Sequence, residues 1–251
     1  MQPKRPRRKR SAPKQARTPW GLIIGVGIGA VVVVLAIVLG SAALKGSNNA
    51  DIIIPTAIAE RTASQQGFVL GDDSAPVTLV EYFRFDCRYC ADFTRDTAPR
   101  IEKDYIDAKS VRFESVPLAV EGKILTASEA AECAADQNRY WDYHDVLFAN
   151  FDQISLDAYE TSRLKEYAVK LGLDTEAFNS CLDSHKYKQA VVDKTKEVVQ
   201  AGYQSTPTFF IGLTKDMNTA GPGYTGQTAI VGAQPFEVFK TAIEELLKKA
   251  Q

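Results

Sequence analysis

The sequence predicts an α/β domain with an inserted helical region, preceded by one transmembrane helix. Strand and helix signals follow the order β-α-β, several helices, then β-β-α. A long uncharged segment lies near the N-terminus, and a Cys-X-X-Cys pair follows the first well-defined strand. The chain has 251 residues, of which 45% are hydrophobic and 24% charged, and this composition argues against a disordered, collagen-like or low-complexity protein.

Residues 1–19 form a basic tail with eight Lys or Arg and no acidic residue. Residues 20–44 are uncharged, and about 20 apolar residues span a bilayer as a helix. Because the basic flank is N-terminal, we expect the tail in the cytoplasm and the rest of the chain outside, which predicts a single-pass cell-membrane protein with an extracytoplasmic domain. A cleaved signal peptide is the alternative, but its apolar core usually has only about 7 to 15 residues.

Beyond residue 45 the chain is acidic, with 21 basic and 31 acidic residues. Proteins bind nucleic-acid backbones through clustered Lys and Arg. We therefore expect no nucleic-acid partner. The lipid bilayer is the expected partner of the N-terminal helix, and the basic tail is its cytoplasmic flank.

The segment 45–66 is predicted to be a linker, because it is polar apart from the short run Ile52–Ile54, where a short strand is an option. Val77–Phe83 is predicted as a buried strand, since it is apolar on both faces. A helix should follow from Cys87 to about Ile106, with a bend near Pro99, and then a second strand at Val111–Val116. This order implies a right-handed crossover.

Residues 121–201 are predicted to be the helical insertion, because alanines and leucines recur there at helical spacing. Gly172 is expected to end one helix and Asp174 to cap the next, with another helix at about 185–201. Strands return at Thr208–Gly212 and Thr228–Val231, and Pro235 opens a final helix. Residues 67–120 and 202–251 therefore form the α/β domain.

Cys87 and Cys90 are predicted to carry redox chemistry. Cys87 stands where a strand ends and a helix begins, near unpaired backbone N–H groups at the positive end of the helix dipole, which stabilise a thiolate. Cys90 lies one turn later, so the pair can close into a short disulfide that exchanges readily. Arg88 should lower the pKa of Cys87 and Asp86 should raise it, which leaves the balance open.

Three other interpretations of this pair remain: half of a zinc site, an inert structural disulfide, or two unrelated buried cysteines. Zinc needs four ligands, and Cys133, Cys181, His144 and His185 show no second paired spacing. We therefore predict neither a metal nor an organic cofactor.

Four segments together resemble the DsbA-like thiol-disulfide oxidoreductases. They are Ala75–Phe83 leading to Cys87 and Cys90, Ala130–Ala134, Trp141–Asp145 and Thr206–Phe210. The resemblance covers about residues 66–250 and implies a thioredoxin fold with an inserted helical domain. The family often has Pro or Pro-His between its cysteines, whereas this chain has Arg88-Tyr89. Because these residues help to set the redox poise, the direction of exchange stays open.

Glu81 shares strand parity with Val77 and Leu79, so its carboxyl points to an apolar face, where burial raises its pKa. Similar proteins have a buried acid six residues before the first cysteine, which implies a proton relay. The alternative is that Glu81 reaches solvent or pairs with a lysine.

Sequence alone predicts a trans peptide bond before Pro207. The resemblance instead implies a cis-proline beside the active cysteines, with Thr206 offering its backbone to an extended substrate. The alternative is an ordinary turn proline.

Cys133 and Cys181 lie on separate predicted helices among apolar neighbours, and we predict that they form a structural disulfide, worth about 4 kcal/mol in the chain-entropy model. Two buried free thiols are the alternative. We predict core packing for His144 and exposure for His185. Neither histidine is placed beside Cys87, which disfavours a cysteine hydrolase.

We therefore predict a membrane-anchored, monomeric protein disulfide oxidoreductase. Its best-supported role is an oxidase that donates the Cys87–Cys90 disulfide to exported proteins with thiols through a mixed disulfide at Cys87, which Cys90 resolves. The resemblance implies a membrane redox partner that regenerates the disulfide. The alternatives are an anchored thioredoxin-like chaperone that binds peptides without redox turnover, and a reductase or isomerase of the same fold.

Overall fold

The computed structural model describes residues 51–153, 157–217 and 228–251. All of them belong to one compact unit, Ala50–Gln251. The predicted basic tail, the predicted transmembrane helix and the whole of the glycine-rich segment 220–226 lie outside the described residues. Within the described ranges, no helix combines the length and the apolar character that crossing a bilayer requires.

In the described part of the chain, six strands form one mixed sheet in the order β1-β2-β4-β3-β5-β6. They are β1 (Gln65–Gln66), β2 (Val69–Leu70), β3 (Val77–Phe83), β4 (Val111–Pro117), β5 (Thr208–Leu213) and β6 (Thr228–Val231). Strand β3 pairs in parallel with β4 and antiparallel with β5. Every residue of β3 is buried, as expected for a central strand that is apolar on both faces. The predicted bounds of β3 and β6 are confirmed.

Most of the helices lie between β4 and β5 in the chain, and the others precede β4 or follow β6. They are α1 (Ala57–Glu60), α2 (Arg88–Asp96), α3 (Ala98–Ile101), α4 (Gly122–Ala135), α5 (Tyr140–Ala149), α6 (Thr161–Lys170), α7 (Thr175–Asp183), α8 (Lys188–Gln200) and α9 (Phe236–Ala250). A π-helical turn, Glu102–Ile106, follows α3.

The crossover between β3 and β4 is interrupted rather than being the single bent helix that we expected from Cys87. Helix α2 ends at Asp96, and α3 begins at Ala98 with Pro99 in its first turn. A proline lacks the N–H that a helix interior needs, so the chain restarts the helix where that group is dispensable. Cys87 itself is the N-cap of α2.

Helix α4 forms the centre of the helical region and packs against α5, α7 and α8. Gly172 adopts a φ of 70° after α6, and the Asp174 side chain accepts hydrogen bonds from two backbone N–H groups of α7. Both predicted caps are confirmed. Helix α8 begins at Lys188 rather than at His185, because His185 has a φ of 53° and cannot be helical.

Residues 51–66, which we call the strap, fall within the predicted linker and contain α1 and β1. The short strand that we considered at Ile52–Ile54 does not form. The Asn150 side chain binds both backbone groups of Ile53, through its Oδ1 (3.0 Å) and its Nδ2 (2.9 Å), and so takes the place of a neighbouring strand.

Candidate active site

The two cysteines lie at the N-terminus of α2, directly after β3. Cys87 is the N-cap residue, with an extended backbone (φ −91°, ψ 117°), and Cys90 lies in the first turn. Both are free thiols; Cys87 is half-buried, whereas Cys90 is 0% exposed. One turn of helix therefore separates an accessible sulfur from a buried one.

The pKa of Cys87 falls from 9.0 to about 6, mainly because the Cys90 thiol donates a hydrogen bond to its sulfur. Burial opposes this shift, but a hydrogen bond from the Thr206 side chain and the backbone N–H groups of Tyr89 and Cys90 support it. These N–H groups belong to the free first turn of α2. The lowered pKa has the direction expected for a cysteine at a helix N-terminus.

Burial raises the pKa of the Cys90 thiol, and its hydrogen bond to Cys87 and the charge of Glu81 raise it further. Cys90 consequently keeps its proton over the pH range in which Cys87 loses its own. The pair thus combines one thiolate nucleophile with one protonated, protected thiol.

Glu81 is 1% exposed on the central strand, and neither of its carboxyl oxygens has a hydrogen-bond partner. Burial raises its pKa well above 4.5, and the neighbouring Cys87 charge adds to this shift. The predicted burial and the direction of the pKa shift are confirmed, and the alternative of a lysine partner is wrong. A carboxyl whose pKa is raised in this way, and whose charge interacts with those of Cys87 and Cys90, can donate or accept a proton there.

The Thr206–Pro207 peptide bond is cis, as the resemblance implies. Cys87 Sγ lies 3.3 Å from the carbonyl oxygen of Thr206. Pro207 directly precedes β5, whose Thr208 pairs with the exposed Val231 of β6. The structure therefore brings Thr206 to Cys87 from the start of β5, the strand next to β3.

Arg88 does not take the place that we expected. Its guanidinium binds Asp152 (2.7 Å) and Asp92 (3.2 Å), and hydrogen bonds rather than Arg88 dominate the pKa shift of Cys87. Sequence reasoning missed Arg84, whose own pKa is raised mainly by a hydrogen bond to Asp86 and to a smaller extent by the charges of Cys87 and Cys90. Arg84, three residues before Cys87, therefore interacts electrostatically with both cysteines.

The remaining predicted residues lie away from this pair. Cys133 of α4 and Cys181 of α7 form a disulfide across 48 residues, with a Cα–Cα distance of 5.9 Å. His144 is 2% exposed and packs edge-on against Phe148, whereas the His185 side chain is 56% exposed. Among the described residues, no group of three or more His, Cys, Asp or Glu side chains could hold a metal ion.

These observations define a thioredoxin-like α/β domain with extra helices and a cysteine pair at a helix N-terminus. The thioredoxin family model matches residues 63–220, and the chain belongs to this family. Disulfide bond formation protein D of Bacillus subtilis is 32% identical over 157 residues, which cover 57% of this chain and 66% of the relative. Na⁺/H⁺ antiporter NhaA 3 of Salinispora tropica is 33% identical over 146 residues, 57% of this chain but only 21% of the antiporter.

Among solved structures, alpha-DsbA1 of Wolbachia pipientis matches with a TM-score of 0.64 and 25% identity, covering 73% of this chain and 92% of that one. The thioredoxin-like fold and the resemblance to DsbA-like proteins are therefore confirmed. The class that we predicted, protein disulfide oxidoreductase, is also the class in the names of several curated relatives. The chain spans between 21% and 66% of the length of the first curated relatives.

Proposed function

We propose that this protein is a thiol-disulfide oxidoreductase whose main activity is to donate the Cys87–Cys90 disulfide to thiols of exported proteins. The opposite ionisation of the two sulfurs carries this proposal. One sulfur is a half-buried thiolate, with a pKa of about 6, and the other is a buried thiol with a raised pKa. An inert structural disulfide needs no such difference.

In the oxidised protein, a substrate thiolate attacks Cys87 Sγ, because Cys90 is out of reach in the interior. The Cys87–Cys90 bond breaks, a mixed disulfide forms between substrate and Cys87, and Cys90 leaves as a thiolate that takes the proton of Glu81. A second substrate thiolate then attacks the mixed disulfide and releases Cys87 as its stable thiolate. Two electrons have then moved from the substrate to the cysteine pair.

The direction of exchange follows from the ionised state of Cys87. A thiolate that hydrogen bonds stabilise lowers the free energy of the reduced protein relative to the disulfide, and so makes the disulfide a stronger oxidant. The low pKa of Cys87 therefore favours donation of the disulfide to substrate thiols over the opposite reaction, in which the reduced cysteine pair reduces disulfides of other proteins.

The substrate surface proposed here surrounds Thr206. An extended substrate segment would pair with the Thr206 backbone, and the exposed Tyr89 (66%) and Val231 (55%) would contact its apolar side chains.

Each turnover leaves a reduced cysteine pair, so the cycle requires a membrane redox partner that restores the disulfide. We propose that residues 20–44 anchor the domain outside the cell membrane, on the strength of their uncharged composition and the basic tail before them.

Trapping of the mixed disulfide tests this function. We expect the full chain with Cys90→Ala to form a covalent adduct with an unfolded secretory protein whose reduced thiols have been activated. Dithiothreitol should release this adduct. Cys87→Ala is the matched control and should form none. Noncovalent capture without an adduct would overturn the proposal and indicate a peptide-binding chaperone.

A further inference from the structure

A cavity of about 420 Å³ extends from Glu81 on β3 to α5 and the strap. Three buried side chains that line it have polar atoms without hydrogen-bond partners: both oxygens of Glu81, Nε2 of His144 and Nε1 of Trp141. These residues are only 1%, 2% and 2% exposed. Buried polar groups in folded proteins are nearly always paired, so three of them on one cavity indicate a polar occupant.

We propose that this cavity holds a chain of water molecules through which His144 passes protons between Glu81 and solvent, which makes His144 a positioning residue for thiol exchange at Cys90. The inference rests on the function proposed above. A water molecule takes up about 30 Å³, so the cavity has room for several.

The orientation of the imidazole fits this role. His144 Nδ1 lies 2.9 Å from Asp145 Oδ1, and because a carboxylate only accepts, Nδ1 carries the hydrogen. Nε2 is then the atom that accepts a proton from the cavity. Burial alone would raise the pKa of Asp145, but the hydrogen bond of His144 and the charge of Arg61 (2.5 Å) outweigh it, so Asp145 stays ionised and balances an imidazolium.

The proton balance of the exchange step gives such a path a role. When Cys90 leaves as a thiolate and takes the proton of Glu81, the carboxylate that remains is buried without a partner. An isolated buried charge is costly, so a proton delivered to Glu81 while the cysteine pair is still reduced stabilises the product of the exchange step. In our scheme Glu81 receives this proton through the water chain from the His144 imidazolium, which is recharged by solvent.

The cavity also reaches the surface, because the exposed residues Ala57, Arg95 and Pro99 line it. The charged and titratable groups that face Glu81 or His144, or line the cavity with them, are Cys87, Cys90, Tyr140, Asp145, Arg61, Glu102, Arg95 and Asp152. Of these, Arg61 binds both Glu102 and Asp145, so a fixed ion-pair cluster lies beside the path to solvent.

The direct test is the rate at which excess dithiothreitol reduces the oxidised full chain, followed by tryptophan fluorescence from pH 5 to 8 in H₂O and D₂O. We expect His144→Ala to slow reduction by about tenfold, a modest part of the usual acid-base contribution, and to raise the solvent isotope effect. Added imidazole should restore the rate. His185→Gln is the matched control, because it keeps a donor for the buried Glu129 carboxylate that lies 3.0 Å from His185 Nδ1, and it should behave like the wild type.

A second variant leaves every titratable group in place. Ala98→Leu fills part of the cavity and should also slow reduction, whereas Ala177→Leu, on the exposed face of α7, should not. If His144→Ala and Ala98→Leu both keep the wild-type rate and pH profile, the inference is overturned. A slower rate with an unchanged isotope effect and no rescue by imidazole would also overturn it, because it would show a purely structural role. Adduct trapping with Cys90→Ala is independent of these results and tests the proposed function alone.

Discussion

At the level of single residues, burial and hydrogen bonding separate the ionisation of two neighbouring thiols. Both belong to one turn of the same helix, but Cys87 is the accessible N-cap and Cys90 points into the core. The Cys90 thiol donates to the Cys87 sulfur, so the interaction that stabilises one ionised form also disfavours the other.

The first prediction concerns the titration of Cys87. Alkylation of the reduced protein by iodoacetamide should reach half its maximal rate near pH 6, where the pKa of Cys87 lies. Replacing Cys90 by Ala removes the largest cause of the shift and should move the midpoint upward. A wild-type midpoint near 9, or a variant with an unmoved midpoint, would contradict this assignment.

The same pKa predicts how stability depends on pH. The folded value of about 6 lies below the ordinary 9.0, so ionisation of Cys87 stabilises the reduced fold fully above pH 9 and loses this effect as the pH falls through 6. The reduced form should therefore gain stability relative to the oxidised form between pH 6 and 9, and thermal melts of both forms will measure the difference.

Sequence reasoning placed Cys87, Cys90 and Glu81 correctly, because their positions follow from the parity of β3 and the start of α2. It misjudged Arg88 and missed Arg84. On a first helical turn, the direction of a long side chain depends on partners from distant segments, and Asp152 lies 64 residues further along the chain. No local pattern contains that information.

At the level of elements, the strap is fixed by a buried ion-pair cluster around Arg61. Its guanidinium, 4% exposed, binds Glu102 (2.8 Å) in the crossover and Asp142 (2.7 Å) and Asp145 (2.5 Å) on α5. The strap therefore joins two parts of the domain and covers one wall of the cavity. From sequence it resembled a polar tether, since a lone arginine gives no sign of three acidic partners.

The third prediction follows from this cluster. Arg61→Ala leaves Glu102 and Asp145 without this cation, whereas Asp142 keeps Arg139, and the variant should lower the free energy of unfolding by about 3 to 5 kcal/mol in urea titrations. Lys194→Ala, which breaks an exposed pair with Glu197, is the matched control and should cost about 0 to 1 kcal/mol. Equal losses in the two variants would show that the strap contributes no special stability.

At the level of the whole molecule, the order of strands and helices could be predicted because β3 and β5 are continuous apolar runs, whereas β4 and the long helices carry a period. The hairpin of β1 and β2 could not, since each strand has two residues and the two are defined only by the pairing of β1 with β2 and of β2 with β4. The cis bond before Pro207 was accessible only through family resemblance, because trans is the default for an isolated sequence.

The proposed anchor gives a prediction at this scale. The full chain should remain in the membrane fraction after alkaline carbonate extraction, and protease added outside intact spheroplasts should digest the domain. A chain lacking residues 1–44 should be released into the soluble fraction. Retention of the shortened chain, or protection of the full chain from external protease, would count against this topology.

The central claim, that the Cys87–Cys90 disulfide is a donor, is tested most directly by its equilibrium with glutathione. The account predicts an oxidising pair, with a reduction potential above about −200 mV, toward the DsbA end of the thioredoxin-fold range. A potential near about −270 mV, the value for thioredoxin, would contradict it and indicate a reductase.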